Sequence, residues 1–229
     1  MPLSSPRRSA LSDQVIAQLR NQITSGEWPV GSRVPTEPEL AQQLGVARNT
    51  VREAVRALAH TGLLDIRQGS GTYVVATSEL AGVMHRRFAG ADPDHVTELR
   101  ATLESSAARL AAERRTDRDL RQLDVLLDRR ARAWQAVDLD GFVAADTALH
   151  LAVVSAAHND VLTTLYADLG DLMRETLRDH VIGTPGPQGL MDHARLVEAL
   201  RAGDGETAAA EAASHAVSCR PRESVRARA

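Results

Sequence analysis

The sequence predicts a mainly α protein: an N-terminal winged helix-turn-helix followed by a C-terminal antiparallel all-helical bundle. Helical apolar spacing runs through most of the chain, and one glycine-tipped segment near residues 63–75 reads as a hairpin. No other strand signature is present. At 229 residues the chain is long enough for two domains, each burying its own core. The expected divisions are a disordered start over 1–10, the winged helix-turn-helix over 11–75 and a linker helix over 76–91. A helical domain over 92–218 and a flexible basic tail over 219–229 complete the chain.

An amphipathic helix carrying Leu11, Val15, Ile16, Leu19 and Ile23 ends at Gly26. Residues 31–37 turn into a short helix with Leu40, Ala41 and Leu44. Gly45-Val46 breaks it and launches a third helix over 48–58, whose Val51, Val55 and Leu58 recur at core-facing spacing. Residues 63–67 and 72–75 flank Gln68-Gly69-Ser70-Gly71, a hairpin tip with glycines where positive φ is needed. Three helices and a two-stranded wing form the geometry that lays one helix in a DNA major groove. Arg48, Arg52 and Arg56 recur every four residues on that helix, a stripe separate from its apolar face. Arginine donates paired hydrogen bonds to guanine edges or phosphates. A solvated arginine face is the plain alternative; the place of the stripe between a glycine-broken turn and a glycine-tipped hairpin favours the groove.

Beyond the wing, Asp92-Pro93 opens a helix, with Asp as cap and Pro in the first turn. Val96, Leu99, Leu103, Ala107 and Leu110 are expected along its buried face. Thr116-Asp117 opens the next, carrying Leu120, Leu123, Leu126 and Leu127. Further helices are expected over 139–157, 161–181, 190–202 and 204–217, with a breaker-rich loop over 183–189.

Composition narrows the class. No apolar run approaches the roughly 18 residues of a membrane helix, and residues 1–8 lack a signal peptide's apolar stretch. The lone Cys219 forms no internal disulfide. These features lead us to expect a cytoplasmic protein with no membrane partner. The overall charge is −3, but residues 1–75 hold eight arginines against six acids while the remainder is acidic. A local basic face is enough for specific DNA binding.

The helical part contains a second constellation. Asp146 and His150 are four apart, on one face of one helix; His193 lies near the start of a later helix and His215 on the last. If those helices pack together, one carboxylate and three imidazoles can converge on a divalent transition metal. Spacing alone equally allows a surface Asp with packing or solvated histidines.

The N-terminal third resembles the GntR family of bacterial transcription regulators. The residues that carry the likeness are Val34-Pro35-Thr36-Glu37-Pro38, Gly45-Val46-Ala47-Arg48-Asn49-Thr50-Val51-Arg52-Glu53-Ala54-Val55 and Gly69-Ser70-Gly71. The resemblance implies DNA contacts from Arg48, Asn49, Thr50 and Arg52, and minor-groove contacts from Gln68 and Gly69 at the wing tip. Two departures stand out. Pro38 replaces an arginine that contacts DNA in many members, and Ala47 replaces the usual Ser or Thr cap, at a cost of about 1 kcal/mol.

The helical domain resembles the FCD-type effector domain of the FadR-like branch. Its marks are Glu98-Leu99-Arg100, Leu103-Glu104, Asp146 with His150, Asn159, Asp192-His193 and His215. In metal-binding members an Asp and three His at these places hold the ion, which implies Asp146, His150, His193 and His215 as ligands. Zn is the foremost metal, with Ni, Mn or Fe as alternatives. His60, His85, His95, His158 and His180 match no ligand place. A small carboxylate effector is expected at the open metal positions, with Arg100 as its cationic partner; a surface salt bridge from Arg100 to Glu98 or Glu104 is the alternative. The reading is then a regulator, a repressor in the expected case. It would act as a homodimer on double-stranded, pseudo-palindromic operator DNA, under the control of an organic acid. A regulator responding to the metal itself, or a metal-dependent enzyme domain fused to a DNA-binding module, are the alternatives.

Overall fold

A computed structural model describes residues 10–170, 172–174, 177–178 and 192–218. The expected loop over 183–189, the tail over 219–229 and residues 1–9 of the expected disordered start lie outside the described residues. The chain divides into two compact units at the Arg87–Phe88 boundary.

The first unit is a winged helix: α1 (Ala10–Thr24), α2 (Glu37–Leu44), α3 (Arg48–Thr61), β1 (Leu64–Arg67), β2 (Gly71–Val74) and α4 (Glu79–Phe88). Val15, Leu19 and Ile23 of α1 meet Leu40 of α2, Val51, Val55 and Leu58 of α3, and Leu64 and Val74 of the wing in one core. The strands pair antiparallel in the register Leu64↔Val74, Asp65↔Tyr73, Ile66↔Thr72 and Arg67↔Gly71. Residues 31–34 add an edge, with Gly31 N–H donating to the Val74 carbonyl at 2.8 Å and Arg33 bridging to Tyr73.

α2 starts at Thr36, whose backbone N–H donates to the Glu39 carboxylate at 2.7 Å. Pro38 fits this first turn because N–H groups there have no helical partner anyway. α3 starts at Ala47 without a side-chain cap. Asn49 does not compensate: its Oδ1 accepts from Arg52 Nη2 at 2.7 Å instead.

On α4 the apolar Leu80, Val83 and Phe88 are exposed and Met84 is half-buried. Ala81 and Gly82 are buried instead. The reason is close backbone approach: a Cβ on Gly82 would lie 2.3 Å from the carbonyl oxygen of Gly62, which caps α3. Arg20 of α1 pairs with Glu79 at 2.7 Å and fastens the other end.

The second unit contains α5 (Pro93–Arg114), α6 (Asp117–Gln135), α7 (Leu139–Ser155), α8 (Asp160–Asp168), α9 (Ala194–Ala202) and α10 (Gly205–Ser218). Residues 172–174 and 177–178 are also helical; the rest of the helix expected over 161–181 is broken at Leu169 or lies outside the described residues. Asp92, Thr116, Asp138 and Asn159 cap α5 to α8 with their side chains.

α10 packs along α5, and α6 along α7. The α5–α10 contact is built from alanines, with Ala107, Ala108, Ala111 and Ala112 opposite a helix burying Ala208, Ala209, Ala212 and Ala216. Small side chains let the two backbones come close. This corrects the expected face of α5. Leu99 is exposed and Leu103 and Leu110 half-buried, while Val96, Arg100, Glu104 and the alanines turn inward. On α6 only Leu123 of the four expected leucines is fully buried, and Arg130 shares its face.

Candidate functional site

The DNA-facing candidates sit on α3 and the wing. Arg48, Asn49, Arg52 and Arg56 are exposed and Thr50 is half-buried, on the side of α3 opposite its core residues Val51, Ala54, Val55 and Leu58. Gln68 and Gly69 are exposed at the hairpin tip, where Gly69 has φ +75°.

The second site is internal. Asp146, His150, His193 and His215 are each 2–3% exposed. α7 carries the first two on one face, and His193 sits at the N-cap of α9. Asp146, His150 and His193 bring ligating atoms within 4.8 Å of one another, so one ion can reach all three. His150 Nε2 lies 3.0 Å from His193 Nε2. The His215 ring stacks on His193 with centroids 3.9 Å apart, but its nitrogens fall outside that three-residue set.

Charged groups surround the imidazoles. Arg130 Nε donates to Asp146 Oδ1 at 2.5 Å, and Arg100 Nη2 stands 3.8 Å from Oδ2. Arg100 Nε donates to Glu104 Oε1 at 2.6 Å, and the Tyr166 hydroxyl donates to the same oxygen. His150 Nδ1 lies 2.9 Å from Glu104 Oε2. A carboxylate there favours the proton on Nδ1 and leaves Nε2 as the ligating nitrogen, the usual support for a metal-binding histidine. A cavity of about 10 Å³, room for one water, is lined by Arg100, Asp146, Thr147, His150 and Tyr166 with Met173 and Leu177.

The electrostatics suit a cation. Burial works against ionised Asp146, yet His150, Arg130, His193 and Arg100 hold its carboxyl well below the usual range. Burial opposes ionisation of Glu104 too, and the charges of Arg100 and His150 overcome it, bringing that carboxyl down to about 2. Burial, reinforced by His150, pushes the His193 imidazole well below its ordinary value and that of His215 down to about 4. His193 and His215 are therefore neutral at pH 7, as ligands must be. His215 Nδ1 is buried with no hydrogen-bond partner, an orphan that a bound ion or ligand would satisfy. A carboxylate with imidazole nitrogens is the donor set that Zn and its neighbours take, so these residues fit a metal.

Sequence reasoning placed Arg100 correctly inward, but it set the alternative Glu104 pairing at the surface. That pair is real and buried, because Arg100 is 5% and Glu104 1% exposed. Arg130 and Tyr166 were missed. Arg130 gave one signal, a charge seven residues after Leu123 and so on the same inward face of α6. Of the histidines set aside, His60, His85, His95 and His158 are exposed, outside the site, and His180 lies outside the described residues.

These features define a class, a winged helix-turn-helix protein with an all-helical C-terminal domain. Residues 11–74 match the gntR family of bacterial regulatory proteins and residues 95–218 match the FCD domain. The chain belongs to the gntR family of transcriptional regulators, in its FCD-domain form. It is 30% identical over 207 residues to the galactonate operon transcriptional repressor of Escherichia coli K12, covering 86% of this chain and 90% of that protein. Likeness to the HTH-type transcriptional regulator LutR of Bacillus subtilis is also 30%, over 84% and 92% of the two chains. Among solved structures, Streptococcus agalactiae GntR is 28% identical with a TM-score of 0.51, over 92% of this chain and 99% of that one. The family consists of DNA-binding regulators and not of enzymes. No helix among the described residues is long and apolar enough to cross a membrane.

Proposed function

We propose that this regulator represses transcription by binding a pseudo-palindromic operator as a homodimer in the cytoplasm, and releases it when a small organic acid binds its C-terminal domain. Arg48 and Arg52 anchor α3 in the major groove with help from Asn49 and Thr50, and Gln68 and Gly69 reach the minor groove. Asp146, His150, His193 and His215 hold a divalent ion, Zn in the first instance. A bound ion supplies an open position for an oxygen of the acid, and Arg100 supplies a charge-assisted hydrogen bond to its carboxylate.

The observation that carries this reading is the buried Asp146–His150–His193 group with its orphaned neighbour His215 Nδ1. A domain that needed only to fold would fill that space with apolar side chains at lower cost. The names of its relatives point to sugar acids and hydroxy acids as the first ligands to try, galactonate above all. The test has two parts. Protein purified without chelators should hold about one divalent ion per chain, lost on His150→Ala or His193→Ala. Galactonate and related acids should then weaken operator binding by metal-loaded protein. Metal alone shifting operator affinity, with every acid inert, would favour the ion itself as the signal.

A further inference from the structure

Arg130 grips the very carboxylate that a metal would need. The buried residues of α6 are Leu123 and Arg130. Arg130 Nε donates to Asp146 Oδ1 at 2.5 Å, and the guanidinium lies 4.7 Å over the ring of Phe142. Phe142 and Asp146 are four apart on α7, so one face of that helix supplies both the ring and the carboxylate. Trp134, one turn after Arg130 on α6, packs on the same ring with centroids 5.0 Å apart. The guanidinium is therefore held on its apolar side as well as its polar one.

Both oxygens of Asp146 stand between cationic and ligating neighbours. Oδ1, the oxygen that Arg130 holds, is 3.8 Å from His193 Nε2. Oδ2 is 3.6 Å from His150 Nε2 and 3.8 Å from Arg100 Nη2. An ion drawn to these imidazoles thus meets a carboxylate that a guanidinium already engages. Among the described residues, the buried carboxylates of this domain are Glu104 and Asp146, and the buried guanidiniums are Arg100 and Arg130. Two fixed positive charges already answer two negative ones, so the charge of an added dication has no buried carboxylate of its own. Like charges repel far more strongly inside a fold than in water.

We propose that Arg130 and the divalent ion compete for the Asp146 carboxylate, so that this arginine sets how tightly the chain holds its metal. The proposal rests on the metal-site reading and deepens it. Glu104 beside His150 Nδ1 supports a ligand, whereas a guanidinium on Asp146 opposes the ion that the ligand would hold. A side chain that only orients a ligand lowers metal affinity about 10- to 100-fold when it is removed. Removing a competitor raises the affinity, so the sign of the change separates the two roles. An ion held against a competing charge is exchangeable, unlike the ion of a closed structural site.

The probe is zinc itself, titrated into chelator-treated full-length protein against a chromophoric chelator at neutral pH. Arg130→Met keeps the length of the side chain and its contact with Phe142 but removes the charge, and should bind zinc at least about 10-fold tighter than wild type. Its denaturant midpoint should fall without zinc and recover with it, because the ion then supplies the counter-charge that Asp146 has lost. Arg130→Lys keeps the charge and should stay near wild-type affinity. In wild type, the Nε–H proton resonance of Arg130, identified by its loss in Arg130→Lys, should leave the downfield position of a carboxylate-bound guanidinium as zinc binds. That measurement needs no variant that folds without the charge. Zinc affinity unchanged or weakened in folded Arg130→Met overturns the competition and leaves Arg130 as a support for Asp146. If that variant does not fold, an Arg130 resonance indifferent to zinc does the same. A wild-type chain that takes up no zinc overturns the metal-site reading itself, and the competition with it.

Discussion

Arginine does opposite work in the two halves of this chain. On α3, Arg48, Arg52 and Arg56 stand in solvent, and Arg52 makes only a local bond to Asn49. In the helical domain, Arg100 and Arg130 are about 5% exposed and committed to Glu104 and Asp146. The difference follows from solvation. An exposed guanidinium gives up little by remaining unpaired and stays ready for a ligand. A buried one must be matched by a carboxylate, because an unpaired charge inside the fold costs several kcal/mol. The exposed set can be read as a binding surface, and the buried set as a charge-balanced site.

The largest test of this contrast removes a buried partner. In metal-stripped protein, Asp146→Ala takes away the carboxylate that Arg130 Nε donates to, and should destabilise the fold by about 3–5 kcal/mol in denaturant unfolding. A change below about 1 kcal/mol would mean that water already reaches Arg130, and the site would no longer count as buried.

On the exposed side, Arg52→Ala should leave unfolding within about 0.5 kcal/mol of wild type. Operator affinity should instead fall by about 1–3 kcal/mol if the side chain reads a base. A large stability change with unchanged DNA binding would invert the comparison.

Acid gives a graded test of the buried side. The folded protein holds His193 and His215 below the ordinary imidazole value, so the unfolded chain takes up protons that the fold refuses. Stability of the metal-free protein should be full above about pH 6.5 and decline as pH falls toward 4. His215→Gln should flatten that part of the stability curve, and an unchanged curve would mean that His215 titrates normally. Metal occupancy should decline over the same acid range, because protonated imidazoles cannot bind it.

The smallest effect concerns α3 itself. Ala47 caps that helix without a side-chain bond, so Ala47→Ser should add about 0.5–1 kcal/mol of stability. Thermal unfolding reads this directly. No gain would mean that another group already satisfies the free N–H groups at the start of α3.

The sequence by itself determined what repeats locally. Helical spacing, the break at Gly45, the caps at Asp92 and Thr116 and the Gly69–Gly71 tip were all legible, because each is set by a few neighbouring residues. The family motif also brought Asp146, His150 and His193 forward as a group, and the fold places the ligating atoms of all three within 4.8 Å of one another. Tertiary structure alone decided which face of each helix turned inward. On α5 the leucine row yielded the interior to Arg100, Glu104 and a line of alanines, since close approach of α10 favours small side chains and the buried charges answer one another. On α4 the same rule buried Ala81 and Gly82 rather than Leu80 and Val83. The partners of Arg130 and Tyr166 were settled the same way, over separations of 16 and 62 residues that no local pattern spans.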